Sequence, residues 1–115
     1  MIGMDPRPLT PRERAVLDAL LDSTDGTLRS QAAGVRVVGT CGCGCPSIDF
    51  EPGYGLGMTV RADAVVRGTP AGLFLYSVKD QRRGEVLGGI EWDSVEDTDP
   101  PEFPSPDLLD IPPRR

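Results

Sequence analysis

The chain has 115 residues, with 12 basic and 18 acidic side chains, no histidine and a formal net charge of −6. That length supports one domain with one modest core. An acidic balance without a basic stripe argues against nucleic acid as a partner, and the absence of any run of roughly eighteen apolar residues argues against a membrane span. With 14 Gly, 12 Pro and only 38% hydrophobic residues, much of the chain is expected in turns and irregular segments.

Residues 1–8 carry two prolines and no apolar period, which predicts a mobile terminus without a secretory leader. Thr10-Pro11-Arg12-Glu13 then has the form of a helix start: Thr10 caps, Pro11 takes the first helical position, and Glu13 reaches back to the cap amide. Val16, Leu17, Leu20 and Leu21 follow at helical spacing, so a helix over about 11–22 is expected to bury that stripe in the core. Between Thr27 and Ala33 a single helical turn ended by Gly34 is possible. The β-branched Val35, Val37 and Val38 predict a strand running toward residue 40.

All three cysteines fall in Cys41-Gly42-Cys43-Gly44-Cys45-Pro46. Three readings compete there. Convergent thiolates suit zinc or copper(I), with Asp49, Glu51, water or another subunit as a fourth ligand; one-residue spacing, however, departs from the two to four residues that usually separate paired zinc cysteines. A redox pair across Gly42 would close a small, strained ring, and no histidine stands ready as a base for a nucleophilic thiol. The plainest reading is structural: small buried side chains at a sharp bend, with no cofactor. The absence of a spaced disulfide framework favours a reducing, cytoplasmic setting.

After the cysteines, Ile48 and Phe50 alternate with Ser47 and Asp49, so the strand resumes past a bend. Residues 58–64 are expected as a strand with Met58, Val60, Ala62 and Ala64 on one face. Residues 72–79 and 85–93 follow as a hairpin about Asp80 to Gly84, the last strand placing Val86, Ile90 and Trp92 on one side and Leu87, Glu91 and Asp93 on the other. The expected architecture is α+β: an N-terminal helix packed on an antiparallel sheet of about four strands within a domain of residues 1–93.

The charge divides unevenly. Residues 1–90 hold ten acids and ten bases, whereas residues 91–115 hold eight acids and two bases, so the whole excess lies at the C-terminal end. Six prolines and six acids in residues 94–115 predict an irregular acidic tail. Phe103, Leu108, Leu109 and Ile111 are apolar enough for that tail to lie across the sheet or to enter a partner.

The order Leu9-Thr10-Pro11-Arg12-Glu13-Arg14, then Cys41-Gly42-Cys43-Gly44-Cys45-Pro46-Ser47-Ile48-Asp49, then Gly89-Ile90-Glu91-Trp92 and a Pro-Glu-Phe-Pro ending resembles a group of small uncharacterised actinobacterial proteins. The resemblance spans most of the chain and implies a single compact domain; no function is assigned to that group, and it brings no catalytic residues. Catalytic signatures are missing: there is no Gly-x-Ser-x-Gly and no phosphate loop, and Gly53-Tyr54-Gly55-Leu56-Gly57 opens no helix. The acids Asp49 and Glu51, or Glu91 and Asp93, are conceivable acid–base pairs but are more simply solvated. The sequence therefore points to a non-enzymatic interaction protein of the inhibitor, immunity or accessory type, with a protein partner, plausibly basic, bound through the tail. On this reading, deletion of residues 94–115 leaves a folded domain that has lost its partner. The alternative is a thiolate site of Cys41, Cys43 and Cys45 binding zinc or copper or acting in redox chemistry.

Overall fold

The computed structural model describes residues 2–24, 26–41, 44–51, 56–95 and 99–112, with the side chains of residues 2–4 and 56 left aside. Helix α1 (Pro11–Leu21) begins as its sequence dictates. The Glu13 amide donates to Thr10 Oγ1 at 3.1 Å, and the Thr10 amide donates to Glu13 Oε1 at 2.9 Å, closing a capping box behind Pro11. Glu13 also accepts two bonds from the Arg7 guanidinium, at 2.9 and 3.0 Å. The helix ends without a capping glycine. Ser23 and Thr24 instead turn their hydroxyls back onto the Leu20 and Leu21 carbonyls, and Arg29 donates to the Leu21 carbonyl.

The α+β expectation holds, but the sheet has seven strands rather than about four. They are β1 (Ile2–Arg7), β2 (Val37–Thr40), β3 (Ile48–Phe50), β4 (Leu56–Val66), β5 (Gly72–Asp80), β6 (Gly84–Asp93) and β7 (Leu109–Asp110). Every pairing is antiparallel, in the order β1-β2-β3-β6-β5-β4-β7. The β4-β5-β6 meander returns β6 to the side of β3, a Greek-key order. The N-terminal stretch expected as mobile is thus an edge strand, with Pro6 tolerated because an edge need not donate every amide. The single helical turn expected after Thr27 divides into α2 (Gly26–Arg29) and a 3₁₀ turn (Ala32–Gly34).

All helical elements lie on one face. Helix α1 packs against β4, β5 and the 3₁₀ turn Pro106–Leu108, and its Val16, Leu17, Leu20 and Leu21 are buried with Val37, Phe50, Ala62, Leu73, Leu75 and Ile90. Burying a side chain of this size is worth about 1.5–3 kcal/mol. The four helical residues alone therefore fix α1 to the sheet.

Two bulges correct the strand faces expected from alternation. Val60 pairs with Tyr76 and Ala62 with Leu75, so Arg61 is an extra residue in β4; Met58 is left 55% exposed while Ala62, Ala64 and Val66 are buried. Tyr76 pairs with Gly89 and Ser77 with Leu87, so Gly88 is extra in β6, and Leu87 joins Ile90 and Trp92 on the core side. The Tyr76 ring lies over this second bulge. A β-carbon on Gly88 would sit 2.5 Å from its ring edge and have to displace that ring, and one on Gly89 would run into the Ile48 carbonyl oxygen of the backbone.

Within the stretch 94–115 expected as a tail, several residues of 99–112 pack against residues 1–93. Phe103 (1% exposed) and Leu109 are core residues, and Ile111 packs against them. Arg12 Nη1 donates to the Phe103 carbonyl at 3.0 Å, the Arg67 amide to the Leu108 carbonyl at 2.8 Å, and β7 extends the sheet beyond β4. A core with so few large aliphatic residues is completed by those of the C-terminal segment.

Candidate functional site

The cysteine stretch is the connection between β2 and β3. Cys41 directly follows β2, and the Gly44 amide, with φ at 95°, turns back to the Cys41 carbonyl at 3.5 Å. Cys41 and Cys45 are both half-exposed, whereas Pro46 and Ser47 are buried. The expectation of buried cysteines at a bend within a strand is thus corrected for these two, because they occupy a connection at a sheet end, and it is the residues after them that enter the core. Cys43 lies outside the described residues, and so does any geometry of a three-thiolate set; among the described residues no three His, Cys, Asp or Glu side chains gather around a common point. The connection is anchored through Ser47, whose Oγ accepts from the Trp92 amide at 2.8 Å and from Cys45 Sγ at 3.4 Å.

Of the four apolar residues expected to meet a partner, Phe103, Leu109 and Ile111 face the core, and only Leu108 is open, at 45% exposure.

The face of the sheet opposite the helices is different. Strand register lays it out in rows. Val65, Gly72 and Asp93 form one; Asp63, Phe74 and Glu91 form the next; Val60, Tyr76, Gly89 and Asp49 form a third. With strands about 4.8 Å apart, Asp63 and Glu91 stand on either side of Phe74 with backbones roughly 10 Å apart. The rings of Phe74 and Tyr76 meet at a centroid distance of 6.3 Å and an angle of 57°.

This face is electrostatically one-sided. The Tyr76 hydroxyl donates to Asp49 Oδ1. Burial and the Asp49 carboxylate together hold the Tyr76 phenol far above its ordinary value. Burial also pushes the Glu91 carboxyl up, and the neighbouring Asp49 and Asp93 carboxylates push it further. Among the described residues, Arg7 pairs with Glu13, Arg61 with Glu85 and Ser77, and Arg67 with Asp110 beside Val65, while Arg12 and Arg14 donate to backbone carbonyls.

At one end of the face, beside the β4–β5 turn, lies a hollow of about 310 Å³. Gly72, Val65, Phe74, Val95, Asp63 and Asp93 are among the residues that line it. Gly72 is held as glycine by the Ala64 carbonyl oxygen, 2.8 Å from where a β-carbon would stand. Val65 is 56% and Val95 86% exposed, so two of the four large hydrophobic residues left open among the described residues border this hollow. Sequence reading set Glu91 and Asp93 aside as solvated acids and gave no role to Phe74 or Val65. Only the register of three strands brings them together, and no local pattern signals it. Comparison of the chain with protein-family models, with curated proteins and with solved structures finds no match.

Proposed function

We propose that this protein is a small non-enzymatic interaction protein, of the inhibitor, immunity or accessory type, whose helix-free sheet face docks a basic segment of a partner protein. The observation that carries this reading is the composition of that face: Asp49, Asp63, Glu91 and Asp93 lie around Phe74, Tyr76 and Val65, while α1, Phe103 and Leu109 pack on the other side. Docking sites commonly combine aromatic and aliphatic anchors with a charged rim that steers encounter. A basic segment would complement Glu91 and Asp93, and aliphatic residues within it would cover Val65 and Val95. The tail, the first candidate for partner contact, instead completes the core.

The test is amide chemical-shift mapping of the labelled protein titrated with a ten-residue peptide of arginine, lysine and valine at low salt. Shifts concentrated in residues 60–65, 72–78 and 89–95 support the reading. Shifts of equal size around Asp18, Asp22 and residues 102–110 overturn it, because they would reflect net charge alone. One observation keeps the thiolate reading in view: Cys41 and Cys45 are both half-exposed in the same short connection.

A further inference from the structure

We infer that the crevice between β6 and the segment joining α2 to the 3₁₀ turn is a strand-addition site, where an extended partner segment carrying one acid and one base pairs parallel to β6 at Val86 in place of the Gln31 carboxamide. The site is separate from the acidic sheet face and shares no residue with it. On its β3 side, β6 is paired by strand only at Gly89 and Ile90 among the described residues. Past Phe50 the chain stays with β2, the Glu51 amide donating to the Arg36 carbonyl at 2.9 Å. Gln31 occupies the gap that this leaves beside β6. Its Nε2 donates to the Glu85 carbonyl at 3.0 Å, and its Oε1 accepts from the Leu87 amide at 2.9 Å. Those two groups flank Val86, and a residue of a parallel strand would pair there through the same carbonyl and the same amide. The side-chain carboxamide thus stands in for one peptide group of a strand.

A hollow of about 450 Å³ adjoins it, with Gln31, Gly34, Glu51, Arg83, Val86 and Leu87 in its lining. A space of that size suits a short segment, and an extended segment at a sheet edge takes its affinity from main-chain hydrogen bonds. Charge sets the composition of the occupant. Glu51 and Arg83 are both exposed; the Glu51 carboxylate makes no hydrogen bond or ion pair among the described residues, and the Arg83 guanidinium meets only Asp80, at 3.8 Å. Arg83 directly precedes β6, whereas Glu51 lies two residues beyond the Asp49–Gly89 pair, toward Leu87. A segment parallel to β6 therefore meets Arg83 first and Glu51 about four residues later. An acid followed by a base at that spacing matches both, while a wholly basic segment matches Glu51 alone.

The experiment uses two capped peptides of one composition, Thr-Asp-Val-Thr-Val-Lys-Thr and Thr-Lys-Val-Thr-Val-Asp-Thr, titrated into the intact labelled protein. The first should shift the amides of residues 83–87 and the side-chain amide of Gln31, leave residues 60–65 and 72–78 unmoved, and bind about threefold more tightly than the second. Gln31→Ala removes the competing carboxamide and should tighten binding by about threefold or more, because the natural protein is competent only while Gln31 is withdrawn. Gly34→Leu should weaken binding, since Gly34 borders the hollow and a β-carbon there would meet nothing within 4 Å. The fold of each variant is checked by its own amide spectrum, and the response of the natural protein to the two peptides decides the matter if Gln31→Ala fails to fold. Equal binding of the two peptides, an unmoved Gln31 side-chain amide, or weaker binding by a folded Gln31→Ala protein would overturn the inference. The same shifts on concentrating the protein without peptide would assign the edge to a second copy of the chain and overturn the partner assignment.

Discussion

Replacing Phe103 with alanine tests whether the C-terminal segment belongs to the domain. The side chain is 1% exposed in the same cluster as α1 and β4–β6, and its carbonyl accepts the Arg12 guanidinium. Phe→Ala changes at such sites cost about 3–5 kcal/mol, combining the lost transfer free energy with the cavity left behind. For a chain of 115 residues, an unfolding entropy of about 2.1 cal/mol/K per residue converts that loss into a fall in Tm of about 12–20 °C. Differential scanning calorimetry of Phe103→Ala beside Leu108→Ala supplies the measurement and its control. Leu108 is 45% exposed, so its truncation should cost under about 1 kcal/mol. A Phe103→Ala protein melting within two or three degrees of wild type (roughly the Leu108→Ala effect) would refute the placement. By the same reasoning, a chain ending at Asp93 should fail to fold, the reverse of what a detachable tail implies.

Four further outcomes are expected. Burial and the neighbouring carboxylates raise Glu91, so the folded state holds its proton at pH values where the unfolded chain has released it; stability from this group is greatest in acid and is lost as pH rises through the folded value. Glu91→Gln should therefore raise Tm at pH 7, with the gain vanishing toward about pH 4, and an unchanged or lower Tm at pH 7 would contradict the like-charge account. Glu13 behaves oppositely: burial opposes its ionisation, but the Arg7 and Thr10 hydrogen bonds outweigh burial and lower it, so its contribution is present above the ordinary carboxylate range and lost as pH falls through the folded value. Glu13→Gln should lower Tm at neutral pH and converge with wild type in acid; equal losses at both pH values would show that the ion pair is not responsible. Gly89→Ala should destabilise by about 1–3 kcal/mol or more, because its β-carbon meets the Ile48 carbonyl oxygen and the Tyr76 hydroxyl, and a chemical melt with an unchanged midpoint would exclude that close approach. Cys41 and Cys45 should react with a thiol reagent in the native protein, since both are half-exposed; if no thiol titrates before unfolding, metal analysis of the same sample decides whether the thiols are masked by an ion.

What the sequence made legible follows from the range of the interactions involved. Helix α1 is specified within four residues by Thr10, Pro11 and Glu13, and β4–β6 announce themselves by alternation, so both are readable locally. Strand β1 was hidden because its definition is its pairing with β2, not any apolar period of its own. The two residues of β7 are defined the same way, by pairing with Val65 and Val66. Arg61 and Gly88 show a different obstacle: one extra residue in a strand reverses the facing of all that follow, and nothing in the local composition marks where the insertion falls. Phe103 and Leu109 did carry a signal, being too apolar for a solvated tail, but the choice between core and partner depended on space beside α1 that only the packed structure defines. The acidic sheet face is the longest-range feature: Asp49, Asp63, Phe74 and Glu91 come from four strands, and their adjacency is a property of register alone.

The central claim is that the position of the acids, not the net charge, makes the binding surface. Two double variants with the same charge change separate these directly: Glu91→Gln with Asp93→Asn on the sheet face, and Asp18→Asn with Asp22→Asn on and just after α1. Affinity for the ten-residue basic peptide is measured for both by titration calorimetry at one ionic strength. The account predicts that the sheet-face pair weakens binding by roughly tenfold or more while the helix pair leaves it within about twofold. Equal weakening by the two would contradict it, leaving the surface no different from the rest of an acidic protein.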